Sequence, residues 1–214
     1  MKSVLILGVG EFGGTIARRM SELNCDVLCI DENEEKINDI VPYVSSARIG
    51  DCTNREMLKS LGINNFDVCI VSVGGLFQTS LETTYTLKEL GAKFVMARAA
   101  NDVQMKFLKM AGADEVAYPE KQTAIRFATK YASDTILDFI QLDSNYSIYE
   151  MKVPKNWYGK TVIQIDVRKK FRVNIITMRR NGEVFIPMAD TKFTEGDVAF
   201  VIGEIKDVFK CFKI

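Results

Sequence analysis

The chain contains no histidine. The commonest general base and the commonest metal ligand are therefore missing together. It also lacks a charge bias: 28 Lys and Arg balance 28 Asp and Glu. No overall field draws it to nucleic acid or to an anionic membrane, so basic pairs such as Arg179-Arg180 read as solvated surface. No stretch approaches the roughly 20 apolar residues that a membrane span needs. Gly8, Gly10 and Glu11 break the first apolar run, which excludes a signal peptide there. No repeat and no low-complexity segment is present. The five cysteines form no Cys-x-x-Cys pair, and their odd number argues against a disulfide framework. Cys25 and Cys29 read as small core residues, and a reducing compartment follows. The expectation is a cytoplasmic chain without direct membrane insertion and without a nucleic-acid partner.

What is present is a core: 47% of the 214 residues are hydrophobic, enough for one medium domain and a small one. Apolar runs at 4–7, 27–30, 44–49, 68–73, 94–97 and 116–118 read as strands. Helical patterns at 12–23, 34–40, 54–61, 79–90 and 102–110 separate them. Near-continuous apolar strands between helices predict a parallel sheet covered on both faces, in an α/β doubly wound arrangement of the Rossmann type. A long crossover helix is expected over 119–140, with an apolar stripe broad enough to face its own domain and a second surface. From about 143 the alternation changes. Strands are expected at 146–153, 173–178, 184–186 and 198–202, and short helices near 162–170 and 206–212. The expected division is a nucleotide-binding domain over 1–140 and a small α+β domain over 141–214.

Gly8-Val9-Gly10-Glu11-Phe12-Gly13 follows the first strand and opens the first helix. The first glycine permits the turn, the second lets backbone approach phosphate, and the third lets helix and strand pack. The helix N-terminus adds free N–H donors for that phosphate. Asp31 ends the second strand, where a carboxylate binds ribose hydroxyls; it can also cap the helix that follows. It favours NAD or an adenosine nucleotide over NADP. Dehydrogenase chemistry is not supported: no Tyr precedes a Lys by four residues, no histidine can move a proton, and the second domain is small. Gly159-Lys160-Thr161 resembles the end of a Walker A loop, but Pro154 stands where that motif needs glycine, so the segment reads as a turn and a helix start.

Gly8–Gly13, Asp31, Gly50-Asp51-Cys52-Thr53 and Pro119-Glu120-Lys121, in this order, resemble the RCK N-terminal (TrkA-N) domain. Asp166-Val167-Arg168, Asn174-Ile175-Ile176 and Glu195-Gly196-Asp197 resemble the RCK C-terminal (TrkA-C) domain. Such proteins are cytosolic subunits of Trk/Ktr-type potassium uptake systems. The resemblance implies a regulatory subunit, not an enzyme, at the inner face of the plasma membrane. It would form homodimers that assemble into an octameric ring beneath a membrane potassium channel subunit. It implies a site for NAD(H), ADP/ATP or AMP, with Gly8, Val9, Gly10, Phe12 and Gly13 at phosphate. Asp31 and Glu32 would lie at ribose, Asp51, Cys52 and Thr53 at adenine, and Val73 and Gly74 at the far wall. Arg98 stands where the family has a base that reaches phosphate. Glu11 departs from the Gly-Arg-Phe-Gly of ATP-responsive members. A carboxylate repels a γ-phosphate unless a cation bridges them, which favours NAD(H), AMP or ADP; a surface residue without a role is the other reading of Glu11. Glu120 aligns with a carboxylate that holds a divalent or sodium cation at the dimer interface, and it also suits the first turn of a helix.

The second domain resembles those TrkA-C domains that bind cyclic di-AMP at their dimer interface. The resemblance implies that Arg168 holds phosphate with Asp166 orienting it. Ile163, Phe171 and Ile175 would sandwich the bases, Asn174 would read a base edge, and Pro187 would line the pocket. The alternative is a helix-end ion pair of Asp166 with Arg168 and isoleucines that belong to the core.

Overall fold

The computed structural model describes residues 1–73, 77–143 and 145–214, in two compact units, Met1–Lys121 and Gln122–Ile214. The first unit alternates strand and helix. β1 (Ser3–Leu7), α1 (Glu11–Glu22), β2 (Asp26–Asp31), α2 (Glu34–Ile40), β3 (Ser46–Ile49), α3 (Arg55–Ser60), β4 (Val68–Val71), α4 (Phe77–Glu89), β5 (Val95–Arg98), α5 (Asp102–Met110) and β6 (Glu115–Ala117) follow in order. All pairings are parallel, and the strand order is β3-β2-β1-β4-β5-β6. The order reverses between β1 and β4, which opens a crevice at their carboxyl ends, the place where ligands bind in such sheets.

β1 explains why its sequence is apolar without alternation. Leu5 and Leu7 join one buried cluster with Val71, Val95 and Leu108. Val4 and Ile6 join another with Val27, Ile37 and Ile70. Successive side chains point to opposite faces, and both faces are covered.

α6 (Pro119–Tyr131) carries the chain across the division between the two units. β7 (Ile136–Gln141), β8 (Tyr146–Lys152), α7 (Val162–Ile165), α8 (Val167–Phe171), β9 (Asn174–Arg180), β10 (Glu183–Phe185), β11 (Val198–Glu204) and α9 (Ile205–Phe212) complete the second unit. Its strands are antiparallel in the order β10-β9-β11-β8-β7. Trp157 anchors this core, with ring centroids 5.2 Å from Phe193 and 5.1 Å from Phe212. Asp197 ties the turn before β11 to β9: its carboxylate accepts from Arg180 at 2.7 and 2.8 Å and from the Thr194 N–H at 2.8 Å.

The helix expected over 119–140 ends at Tyr131. A turn intervenes, with the Ser133 hydroxyl accepting from the Thr135 N–H. The apolar residues 136–140 then form β7, which pairs with β8. Ile136 is buried through that pairing, whereas no residue of α6 is buried, so the broad stripe was the sum of a helix and a strand. The same pairing places β7 in the second unit, which begins at Gln122. The short helix near 162–170 is interrupted at Asp166, whose φ of 51° separates α7 from α8.

Candidate functional site

The carboxyl edge of the first sheet gathers the glycine loop after β1, Asp31 at the end of β2, Ser72 after β4 and Arg98 at the end of β5. They surround a cavity of about 660 Å³ whose walls include Gly10, Glu11, Phe12, Asp31, Lys36, Ser72, Arg98 and Glu120. That volume suits a small ligand.

Each glycine of the loop has its own reason. Gly8 lies at φ +91°, and a Cβ there would come 2.5 Å from the Ser72 carbonyl oxygen. A Cβ on Gly13 would overlap the Gly8 carbonyl oxygen. At Gly10 a Cβ would meet nothing within 4 Å. The loop therefore packs through its first and third glycines, while its second faces open space above the N-terminus of α1. That is the arrangement by which backbone meets phosphate.

Asp31 is buried. One oxygen accepts from the Val9 N–H at 2.8 Å, tying β2 to the glycine loop, and the other accepts from the Asn33 N–H at 2.9 Å. Lys36 approaches to 3.6 Å. The capping role lies elsewhere, because the Asn33 side chain accepts from the Lys36 N–H and caps α2. Each carboxylate oxygen keeps further acceptor capacity for a ribose hydroxyl. Glu32 is exposed and is not among the residues that line the cavity.

Asp51 accepts from the Thr53 N–H at 2.8 Å and hydroxyl at 2.7 Å, and these bonds hold its carboxyl below the usual range. Cys52 is buried; burial, with Asp31 and Asp51 adding to it, pushes its thiol up to about 12. It is thus a neutral buried thiol, not a nucleophile, and it does not line the cavity. Val73 is half-buried, and Gly74 lies outside the described residues.

Arg98 lies with its guanidinium carbon 5.7 Å from the Phe12 ring centroid and pairs with Glu120. Its Nε is buried and has no partner among the described residues. The Glu120 carboxyl is held below the usual range by its own backbone N–H and by Arg98. This pairing uses the carboxylate that the resemblance reserves for a cation. Among the described residues no group of three or more His, Cys, Asp or Glu could hold a metal ion. The cavity as a whole sets three carboxylates (Glu11, Asp31, Glu120) against two cations (Lys36, Arg98). Lys36 and Ser72 escaped the sequence reading. The signal for Lys36 was its place three residues after the cap Asn33.

In the second unit Ile163 is exposed on α7, and its N–H donates to the Ala189 carbonyl at 2.9 Å, which holds α7 beside the loop that contains Pro187. Asp166 sits at the joint between the short helices, Arg168 is exposed on α8, and Phe171 ends α8. Asn174 and Ile175 open β9, exposed and half-buried respectively. Among the described residues no ion pair joins Asp166 to Arg168. A cavity of about 460 Å³ next to these helices is lined by Phe171 and by none of the other candidates. Gly159-Lys160-Thr161 is a turn and a helix start: Thr161 caps α7 and exchanges bonds with Gln164.

Comparison with known proteins gives the family. The TrkA-N domain matches residues 4–119 and the TrkA-C domain matches residues 148–212. Ktr system potassium uptake protein C of Bacillus subtilis (strain 168) is 36% identical over 208 residues, covering 97% of this chain and 94% of that protein. Ktr system potassium uptake protein A of the same organism is 33% identical over 208 residues, with 97% and 94% covered. Among solved structures, the GsuK channel bound to NAD superposes with a TM-score of 0.68 at 19% identity, over 96% of this chain and 38% of that one. No helix among the described residues is long and apolar enough to cross a membrane. With both domains in sequence and relatives of this identity along almost its whole length, the chain belongs to the TrkA-N/TrkA-C family of potassium uptake regulatory proteins.

Proposed function

We propose that this chain is the cytoplasmic regulatory subunit of a Ktr-type potassium uptake system, and that it gates a membrane channel subunit in response to bound adenine nucleotide. The observation that carries this reading is the glycine loop. Gly10 presents bare backbone to a cavity that is also lined by a buried, hydrogen-bonded Asp31. The nucleotide serves in this reading as a signal and not as a reactant, which the lack of histidine, the commonest general base, supports. The excess of carboxylates over cations around the cavity favours NAD(H), AMP or ADP over ATP. We place Glu32, Asp51, Cys52, Thr53 and Val73 around the nucleoside, by their positions just after β2, β3 and β4. A dimer, and an octameric ring built from it, is part of the same reading, as is residence at the inner face of the plasma membrane.

Cyclic di-AMP is the second ligand we propose, at Ile163, Asp166, Arg168, Phe171, Asn174, Ile175 and Pro187. Arg168 carries this reading because it is exposed and free of any ion pair among the described residues. The cation at Glu120 finds no support in the donor set of one chain.

The test is thermal stabilisation by ATP, ADP, AMP, NAD, NADH and cyclic di-AMP, each alone. A ligand at one hundred times its Kd stabilises the folded state by about 2.7 kcal/mol. NAD, AMP or ADP is expected to raise Tm, and Asp31→Ala to abolish that rise relative to its own unliganded Tm. Arg168→Ala is expected to abolish only the response to cyclic di-AMP. If no adenine nucleotide at millimolar concentration moves Tm, the sensor reading is wrong.

A further inference from the structure

We propose that Glu120 is an internal competitor for Arg98: it occupies the guanidinium that a ligand phosphate would take, so that binding releases the first turn of α6. The proposal rests on the nucleotide reading above and adds how that site is regulated.

Three observations converge. First, Arg98 stands at the mouth of the glycine loop, its guanidinium stacked toward the ring of Phe12, two residues after Gly10. Second, its hydrogen bonding is incomplete. Among the described residues Glu120 is its acceptor, and the buried Nε has none. A buried donor without an acceptor is costly, and a phosphate offers the arginine fork more oxygens than one carboxylate oxygen does. Third, Glu120 belongs to the first turn of α6, a helix with no buried residue. Among the described residues the side chains of that turn are tied to the rest of the first unit by Arg98–Glu120 and by Lys121–Asp102 at 2.6 Å. The division between the two units falls inside this helix. A phosphate on Arg98 therefore loosens the chain where it leaves the nucleotide-binding unit. Glu120 stays satisfied when released, because its own backbone N–H donates to it at the positive end of the helix.

Linkage fixes the sign. A pair that must break on binding lowers affinity by the factor the pair is worth, and removing it raises affinity by that factor. For a pair this exposed the factor is roughly two- to five-fold.

The experiment titrates the full chain, wild type and Glu120→Gln, with ADP and with NAD by calorimetry, in Mg²⁺ and in EDTA. Hydrogen exchange of residues 119–125 is followed in the same samples. Glu120→Gln is expected to bind roughly two- to five-fold more tightly in both media. Its exchange over 119–125 without ligand should match that of liganded wild type. Unchanged affinity, or exchange over 119–125 that the ligand does not raise in wild type, overturns the competition while leaving nucleotide sensing intact. Weaker binding by Glu120→Gln in Mg²⁺ alone makes Glu120 a cation ligand and also overturns it. Failure of wild type to bind either nucleotide removes the reading on which the proposal stands.

Discussion

Two glycines three residues apart should respond to the same substitution in opposite ways. At Gly13 an added Cβ would overlap the Gly8 carbonyl oxygen and approach the Ser72 Cβ to 3.2 Å. Neither neighbour can swing aside as a flexible side chain would. Overpacking of this kind costs about 1–3 kcal/mol. At Gly10 the backbone has φ −69° and ψ −172°, which alanine adopts without strain, and the new methyl meets nothing within 4 Å. Restricting the unfolded chain contributes about 0.4–1 kcal/mol of stability. Replacing a good N-cap residue by alanine offsets most of it. Gly13→Ala should therefore lower Tm by roughly 3 °C or more, while Gly10→Ala should leave Tm nearly unchanged. Binding should invert the order of interest: the methyl of Gly10→Ala occupies the space that phosphate needs, and ADP or NAD affinity should fall at least about tenfold, or 1.4 kcal/mol. Differential scanning fluorimetry and calorimetric titration of both variants read the two effects separately. Wild-type affinity in Gly10→Ala would refute the reasoning, because the phosphate would then lie elsewhere.

Asp197→Ala removes a fully buried carboxylate side chain and leaves the Arg180 Nε and the Thr194 N–H without their acceptor. The second unit should lose about 3 kcal/mol in urea titration, while nucleotide binding by the first unit persists. Asp138 is held down to about 2, chiefly by its bond from Arg126. Its folded pKa is below the unfolded value of about 3.9, so its contribution is full above pH 4 and is lost as pH falls from 4 to 2. Across that window the Tm of wild type should fall more steeply than that of Asp138→Asn; parallel curves would show that the pair contributes nothing.

Much of the first unit was legible because several levels of the sequence agree there. The apolar run 4–7 can only be a strand covered on both faces, and its glycine turn sits where a sheet reverses. Asp31 was legible as a candidate for the same reason, although its bond to the Val9 N–H was not. The end of α6 was hidden because Ile136, Leu137, Phe139 and Ile140 continue the helical period that precedes them, and neither Gly nor Pro marks the turn at 132–135. Only pairing with β8 decides between helix and strand. Arg98 and Glu120 each stood out in the sequence, but 22 residues separate them. Their pairing is a fact of tertiary structure. In the second unit the exposed candidates Ile163, Arg168 and Asn174 could be named but not assembled into a cavity, because short exposed segments carry no periodic signal.

The edge strand β7 has a practical consequence for dissecting this protein. The TrkA-C match begins at residue 148, and a fragment trimmed to it would discard β7 while keeping most of β8, the strand whose outer edge β7 covers. Backbone donors and acceptors along β8 would then stand bare beside Tyr149 and Met151, an adhesive margin open to any passing chain. A fragment beginning near residue 122 keeps its own hem. Where such a chain is cut decides which strand stands at the open margin of the sheet.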